Sequence, residues 1–350
     1  MLEPRSLIFL IAPGIGVYLL LLVLLKSRIA VYFLDKPNSR KIHKNQIPRI
    51  GGLALIPISC LGISIASGLT AFTGSIFAGA LVFTVIGLFD DSSLPHVVLQ
   101  KPQWFLRARY KFLLESALAF GVIYYTGVTL PGLQNMPWLG TPLTMVWLVG
   151  VTNSFNIIDG VDGLCGGVSF VILLGIVVLA LLLHIAGVMP IALVLAGSVG
   201  GFLVLNSHPA RLFLGDMGSL FLGFCCALLG LEIVVNIAPN NPFLLLFLAA
   251  LPVLDVGTAM VRRSFVKPAP TSLRQWFSQL ARADANHIHH RLLRQGLSAS
   301  LVALVAMLWT LAVLVLAFMA LSSPAQALWY LPYLGICVLA CGLLYISYRD

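Results

Sequence analysis

The chain has 350 residues, of which 59% are hydrophobic and 9% are charged, and its mean hydropathy is +1.00. Soluble domains carry roughly a quarter charged residues, so this composition excludes a soluble globular protein and indicates an integral membrane protein. The formal net charge of +9 does not indicate nucleic-acid binding, because the basic residues lie at the ends of apolar segments, as membrane topology requires.

Apolar segments long enough to cross a bilayer as helices recur along the whole chain. With spans of roughly 17 to 25 residues, about eleven are predicted, at 6–26, 51–69, 71–89, 112–128, 142–158, 163–187, 189–205, 217–237, 242–261, 298–321 and 326–347. The predicted fold class is therefore all-α, a polytopic membrane protein. Residues 1–350 are expected to form one membrane domain without a separate soluble domain.

The charged residues are confined to the loops that follow every second predicted helix. All but Arg5 and Arg349 of the 21 Lys and Arg residues lie in or beside these five loops. The positive-inside rule places such loops in the cytoplasm. Five polar loops, distant in sequence, are therefore expected to share one aqueous face.

The first of these loops, residues 35–52, is strongly basic. Its side chains, Lys41 and His43 among them, are either membrane-surface anchors or ligands for an anion. The pair Gly51 and Gly52 opens the next helix, and we expect its free backbone N–H groups to accept an anion at close range.

Acidic residues occupy three of the other loops at positions that need a partner. Asp90 and Asp91 end a predicted helix, where they repel each other and face the negative helix end. Asp159 and Asp162 lie on one side of a turn close to the hydrocarbon. Asp216 begins a helix, followed by Gly218 and Ser219, so it serves either as an N-cap or as a cation ligand beside N–H groups for phosphate oxygens.

The longest loop, residues 262–297, combines an interfacial helix with a histidine motif. Leu273, Trp276, Phe277 and Leu280 form an apolar stripe that predicts a helix lying in the membrane interface. Further along, HIHHRLLR supplies histidines at 287, 289 and 290 together with Arg291 and Arg294. As a helix, this segment would place His287, His290, Arg291 and Arg294 on one face and His289 elsewhere. Asp255, inside the preceding span, is expected to be protonated, paired with a loop base, or part of the site floor.

Oxygen ligands in acidic loops suit Mg²⁺ or Mn²⁺. A divalent cation beside His and Arg donors is an arrangement that holds a diphosphate, and phosphoryl transfer requires mainly positioning and charge neutralisation. The polar loops therefore indicate a transferase that acts on a phosphorylated, lipid-borne acceptor at the membrane surface.

Six segments, taken in order, carry a family resemblance: DKPNSRKIHKNQIPRIGG, FDD, NSFNIIDGVDGL, FLGDMGS, LPVLD and HIHHRLLRQG. They extend over nearly the whole chain and resemble the polyprenyl-phosphate N-acetylhexosamine-1-phosphate transferases of glycosyltransferase family 4. The resemblance implies transfer of a sugar-1-phosphate from a UDP-N-acetylhexosamine to undecaprenyl phosphate, with release of UMP. This reaction starts a lipid-linked surface polysaccharide such as O-antigen or teichoic acid. It also implies the bacterial cytoplasmic (inner) membrane, an active site facing the cytoplasm, membrane lipid as a partner, and a chain compatible with a homodimer.

The resemblance further implies roles for individual residues. Asp90 would orient or deprotonate the acceptor phosphate, while Asp216 and Asp91 would bind the Mg²⁺ or Mn²⁺ ion. Direct attack by the lipid phosphate is favoured over a two-step route through an aspartyl-phosphate on Asp216. The expected catalytic residues are Asp90, Asp91, Asp216, His287, His289 and His290; the expected substrate-binding residues are Lys41, His43, Asn153, Asn156, Asp159, Asp162, Asn206, Phe213 and Arg291.

Alternatives remain open at this point. The peptidoglycan branch of the superfamily transfers phospho-N-acetylmuramoyl-pentapeptide, but typically has an HHH run where this chain has His-Ile-His-His-Arg. An ion-coupled secondary transporter would also contain membrane acids, although here the acids gather at one interface rather than at the midplane. A structural scaffold would leave the acidic loops unexplained.

Overall fold

Helices dominate the part of the chain that the computed structural model describes, namely residues 4–35, 46–93, 108–185, 187–239, 244–264, 272, 275 and 287–322. A single antiparallel ladder, β1 (Leu34–Asp35) with β2 (Ile47–Pro48), pairs Asp35 with Ile47. The helices are α1 (Pro4–Lys26), α2 (Ile29–Tyr32), α3 (Gly51–Ser67), α4 (Ala71–Asp90), α5 (Ala108–Thr126), α6 (Pro137–Ile158), α7 (Leu164–Leu182), α8 (Met189–Asn206), α9 (Gly215–Ile237), α10 (Leu244–Leu248), α11 (Ala250–Ser264), α12 (Ile288–Arg294) and α13 (Ala299–Ser322).

The all-α membrane architecture expected from the sequence is confirmed. Within the described ranges, six helices are long and apolar enough to cross a membrane: α1, α4, α7, α8, α9 and α13. The predicted span at 242–261 is divided at Ala249 into α10 and α11. Pro252 lacks the N–H that would bond to the Leu248 carbonyl, which accounts for a break at this point.

The number of spans, eleven, stays a prediction. The segment 326–347 lies outside the described residues, as does nearly all of the predicted interfacial helix, of which only positions 272 and 275 are described.

Helix α9 forms the centre of the bundle and carries the site at one end. It packs against α3, α4, α6 and α7, and almost all of its residues from Met217 to Leu231 are buried. Such a helix is apolar on every side because it has no lipid-facing or water-facing surface. Asp216, in its first turn, therefore lies where the ends of several helices meet.

Helices α1 and α8 pack so closely that their backbones are in contact. A Cβ atom added at Gly197 would lie 2.0 Å from the Leu10 carbonyl oxygen, and one added at Gly201 would lie 2.0 Å from the Gly14 carbonyl oxygen. Glycines four residues apart leave a flat helix face that permits this approach, which is a common way to pack helices in membranes. Helix α1 is thus an integral part of the bundle.

This contact predicts a position-dependent effect of one substitution. Gly201→Ala should lower the free energy of unfolding by about 1–3 kcal/mol, because the new methyl group must push α1 away. Gly121→Ala, in α5, adds the same group where nothing lies within 4 Å and should not destabilise the protein. Thermal unfolding of the two purified variants in detergent measures the difference; equal midpoints would contradict the packing described here.

Candidate active site

The two adjacent carboxylates at the end of α4 have different surroundings. The Asp91 side chain is fully buried, and its oxygens accept hydrogen bonds from the backbone N–H groups of Asp216 and Met217, both at 3.0 Å. Asp91 thus caps the start of α9, where free N–H groups favour an anion. Two of the N–H groups at this helix start, where phosphate oxygens were one expected ligand, are therefore already bonded to Asp91.

Arg49 and Gly215 both suit Asp91 to this position. Arg49 Nη1 lies 3.4 Å from Asp91 Oδ1, and Arg49 Nη2 lies 3.0 Å from Asp35 Oδ1. Burial and the nearby Asp216 carboxylate raise the pKa of Asp91 to about 7, while the backbone hydrogen bonds and Arg49 oppose the shift. Gly215 has a positive φ of 76°, and a Cβ atom there would lie 2.7 Å from Asp91 Oδ2, so a side chain at this position would collide with the cap.

Asp90 turns instead toward Asp216, and Lys111 joins the two. The Lys111 ammonium group is in contact with the Asp90 carboxylate and lies 2.9 Å from Asp216 Oδ2. All three side chains are about one-quarter exposed or less, so the group is reachable from the polar face. The sequence analysis did not identify Lys111 as part of the site. A usable signal was Glu115 four residues later, since two charges on one face of an apolar helix require partners.

The end of α6 adds polar groups to this acidic cluster. The Asn156 amide donates to Ser219 Oγ at 2.9 Å and lies beside the Asp216 carboxylate. Asp159, the next acid, faces the Gly215 backbone N–H. Burial raises the pKa of Asp159 well above its usual range, with Arg49 opposing and the carboxylates of Asp216 and Asp91 reinforcing the shift. We name Asp90, Asp91, Asp159 and Asp216, with Arg49 and Lys111, the acid cluster.

Other expected substrate ligands are engaged in holding the loop between α8 and α9. Asn206, which is buried, accepts from Gly163 N at 3.0 Å and donates to the Leu212 carbonyl at 2.9 Å. Asp162 accepts from Ala210 N at 3.1 Å and pairs with His208 Nδ1 at 2.7 Å. His208, which the sequence analysis did not identify, is thus the partner of Asp162.

Phe213 is half-buried in the same loop, and its backbone binds the start of α3. Its carbonyl accepts from Gly51 N at 2.9 Å, and the Leu214 carbonyl accepts from Gly52 N at 3.0 Å. The expected anion site at these glycines was therefore wrong, since both N–H groups are used in the loop contact. Lys41 and His43 fall outside the described residues.

The histidine motif is anchored to α11 by Asp255. Its carboxylate lies 2.9 Å from His287 Nδ1 and accepts from Ile288 N at 2.7 Å. Asp255 is 1% exposed, so this pairing with a loop base, one of the three expected outcomes, satisfies an otherwise costly buried carboxylate. His290 and Arg291 are half-buried on α12.

His289 lies beside Gly160, the chain neighbour of Asp159 in the acid cluster. It is 3% exposed and lies parallel to His287 at a ring distance of 6.0 Å, so the predicted division of faces, with His289 directed elsewhere, was wrong. The reason is that α12 begins only at Ile288 and leaves His287 in extended backbone. His289 Nε2 lies 3.0 Å from the position of a Cβ atom added at Gly160, next to Asp159. Burial lowers the pKa of His289 to about 3, so this imidazole is neutral near pH 7.

The chain is similar to membrane sugar-phosphate transferases. Residues 73–234 match the family described as glycosyl transferase family 4. A probable undecaprenyl-phosphate N-acetylglucosaminyl 1-phosphate transferase of Bacillus subtilis is 33% identical over 319 residues, which cover 87% of this chain and 83% of the relative. A decaprenyl-phosphate N-acetylglucosaminephosphotransferase of Mycobacterium leprae is 31% identical, with 78% and 73% covered. A phospho-N-acetylmuramoyl-pentapeptide-transferase of a Synechococcus strain is 36% identical, with 56% and 58% covered.

The Asp255 contacts predict a local effect on the histidine motif. Asp255→Ala should destabilise the protein by about 1–3 kcal/mol, because it leaves the buried His287 and the Ile288 N–H without their acceptor. Thr258→Ala, one turn along α11, removes a bond from a hydroxyl to the Asp255 carbonyl and serves as the control. Thermal unfolding in detergent measures both, and an Asp255→Ala variant as stable as the control would contradict the anchoring role.

Proposed function

Since the chain belongs to glycosyl transferase family 4, we propose that it transfers N-acetylhexosamine-1-phosphate from a UDP-sugar to undecaprenyl phosphate. The observation that carries the proposal is the convergence of Asp90 and Asp216 on Lys111, from helices far apart in sequence. The names of the Bacillus subtilis and Mycobacterium leprae relatives describe transferases of this type with polyprenyl phosphate acceptors. The product would be a lipid-linked sugar diphosphate, the first intermediate of a surface polysaccharide.

The charges of the acid cluster suit a divalent cation. In the described part of the chain, no three His, Cys, Asp or Glu side chains form a ready-made metal site. Mg²⁺, however, is usually held by one or two carboxylates together with substrate phosphates and water. The Lys111 ammonium between Asp90 and Asp216 supports the view that this pair accepts positive charge. Asp90 and Asp216 would therefore hold Mg²⁺ or Mn²⁺, and Asp91, expected to be a ligand, is assigned to the helix cap.

The proposed reaction is one displacement at phosphorus. An oxygen of the lipid phosphate attacks the β-phosphorus of the UDP-sugar, and the bond from this phosphorus to the bridging oxygen breaks, so UMP leaves with the electron pair. The acceptor, a phosphate monoester with a second pKa near 6, is largely ionised near pH 7, and Asp90 needs only to orient it. When bound, the metal ion neutralises charge on the diphosphate. Lys111, Arg49 and the histidine motif supply further donors for the phosphate oxygens.

Two observations favour an N-acetylhexosamine donor over a muramoyl-pentapeptide donor. The Bacillus subtilis hexosamine relative aligns over 87% of this chain, whereas the Synechococcus pentapeptide transferase aligns over 56%. The motif also reads His-Ile-His-His-Arg at residues 287–291, without the three consecutive histidines typical of the pentapeptide branch. UDP-N-acetylglucosamine is accordingly the first donor to test. The excess of Lys and Arg on the loops of the site end favours a bacterial cytoplasmic membrane with this end facing the cytoplasm.

Purified protein with undecaprenyl phosphate and Mg²⁺ should release UMP from UDP-N-acetylglucosamine. Asp216→Asn should reduce this rate by a factor of about 100 or more, as loss of a principal charged group in a phosphoryl-transfer site does. Glu232→Gln makes the same chemical change at the far end of α9 and should leave the rate unaltered. A UDP-sugar panel identifies the donor. Failure of every UDP-N-acetylhexosamine, or full activity of Asp216→Asn, would refute the proposal.

The metal assignment predicts different effects of substitutions at Asp90 and Asp91. Asp90→Asn should weaken Mn²⁺ binding about tenfold or more, equivalent to about 1.4 kcal/mol, because it removes a proposed ligand charge. Asp91→Asn should change Mn²⁺ affinity less than Asp90→Asn and should instead lower the unfolding midpoint, because one of its two capping oxygens is replaced. Electron paramagnetic resonance titration with Mn²⁺ measures the affinities, and the opposite order would reassign the ligand.

A further inference from the structure

A second polar contact lies one helical turn deeper in the bundle than the acid cluster. Glu115, on α5, is 4% exposed, and its Oε2 accepts a hydrogen bond from the Asn153 amide of α6. The same amide donates to the Val149 carbonyl at 2.9 Å. Both N–H groups of Asn153, an expected substrate ligand, are therefore used within the protein.

Glu115 and Asn153 each lie about one turn from a residue of the same helix that approaches Asp216. Lys111 precedes Glu115 by four residues on α5, and Asn156 follows Asn153 by three residues on α6, so each residue shares a helix face with its neighbour. Lys111 Nζ reaches Asp216 Oδ2 at 2.9 Å, and Asn156 donates to Ser219 Oγ and lies beside the Asp216 carboxylate. Each helix thus presents one side chain to Asp216 and, one turn deeper, one side chain to the other helix.

We propose that the Glu115–Asn153 hydrogen bond is a positioning device, which sets α5 against α6 so that Lys111 and Asn156 both meet Asp216. The inference rests on the proposed function of the acid cluster. Glu115 has no hydrogen bond or ion pair with the described groups assigned to the reaction, so it acts through the placement of Lys111. A misplacement of about 1 Å in a phosphoryl-transfer site can lower the rate about 100-fold. A hydrogen bond outside the site can therefore affect the rate by setting the positions of Lys111 and Asn156.

The useful property of Glu115 is its acceptor oxygen rather than its charge. Glu115 is buried, and withdrawing a charge from water costs free energy that its partners must offset, so the hydrogen bond to Asn153 does not require an ionised carboxyl group. A glutamine retains the shape and the acceptor oxygen without the charge. Glu115→Gln should therefore preserve the device, and Glu115→Leu should abolish it.

The kinetic test compares these variants in the UMP-release assay. Glu115→Leu and Asn153→Leu should each lower kcat about tenfold or more and leave KM for the UDP-sugar within about twofold, whereas Glu115→Gln should keep kcat within about threefold. If Asn153 bound the donor directly, Asn153→Leu would instead raise KM with little change in kcat. That result, or equal losses in Glu115→Gln and Glu115→Leu, would overturn the inference.

A matched control separates positioning from general loosening of the bundle. Trp147, also on α6, donates from Nε1 to the Ala227 carbonyl of α9 at 3.2 Å, about three turns from the acid cluster. Trp147→Phe removes this helix–helix hydrogen bond and should lower the unfolding midpoint without lowering kcat. A loss of kcat in Trp147→Phe as large as that in Glu115→Leu would mean that any weakened helix contact impairs the enzyme, and the inference would fail.

A double-mutant cycle tests the pair without an activity measurement. The Glu115→Leu/Asn153→Leu double variant should have an unfolding midpoint no lower than the less stable single variant, because the hydrogen bond can be lost only once. Additive shifts would show that the two side chains act independently. An inactive wild type would refute the proposed function yet leave this cycle informative, and a fully active Glu115→Leu variant would refute the positioning role alone.

Discussion

The structure depends on mutual neutralisation of charge at the end of an apolar bundle. Asp90, Asp91, Asp159 and Asp216 come from three helix ends, and Arg49 and Lys111 come from two further segments. An ion removed from water costs several kcal/mol unless it is paired and hydrogen-bonded. The fully buried Asp91 is therefore tolerated only with its backbone donors and Arg49 in place. Packing of the helices and assembly of the site are the same event, which explains why the site lies at the start of the most buried helix.

Within this arrangement, neighbouring acids perform different tasks. Asp91 gives both oxygens to the backbone of α9 and so fixes the helix that carries Asp216. Asp90 turns toward Lys111 and Asp216 instead. A lysine between two carboxylates holds them close together, and under the proposed function a divalent ion with a diphosphate would take over these contacts. Asp91 therefore has a structural role, and Asp90 is left for the proposed reaction.

The sequence predicted the helices well because hydrophobic length is a direct physical requirement of the bilayer. It also brought the acidic motifs to one face, since loop charge follows topology. The sequence did not predict which groups bond to each other where several partners are chemically possible and helix packing decides between them. The N–H groups of Gly51 and Gly52 suit an anion or a carbonyl equally well, and only the position of Phe213 decides between them. Lys111 resembled a surface anchor because its partners, Asp90 and Asp216, are remote in sequence.

The histidine motif and the acid cluster meet at Gly160. His289 Nε2 has no hydrogen-bond partner among the described residues, and it lies where any side chain at position 160 would be placed. A neutral, buried imidazole costs less to hold there than a cation would. Under the proposed function, a diphosphate bound near Asp159 and Asp216 would supply the missing partner and favour protonation of His289. The imidazole would then become a stronger hydrogen-bond donor only when the anion is bound. A Cβ atom at position 160 would press on His289 Nε2, so a glycine beside Asp159 lets the histidine motif approach the acids closely.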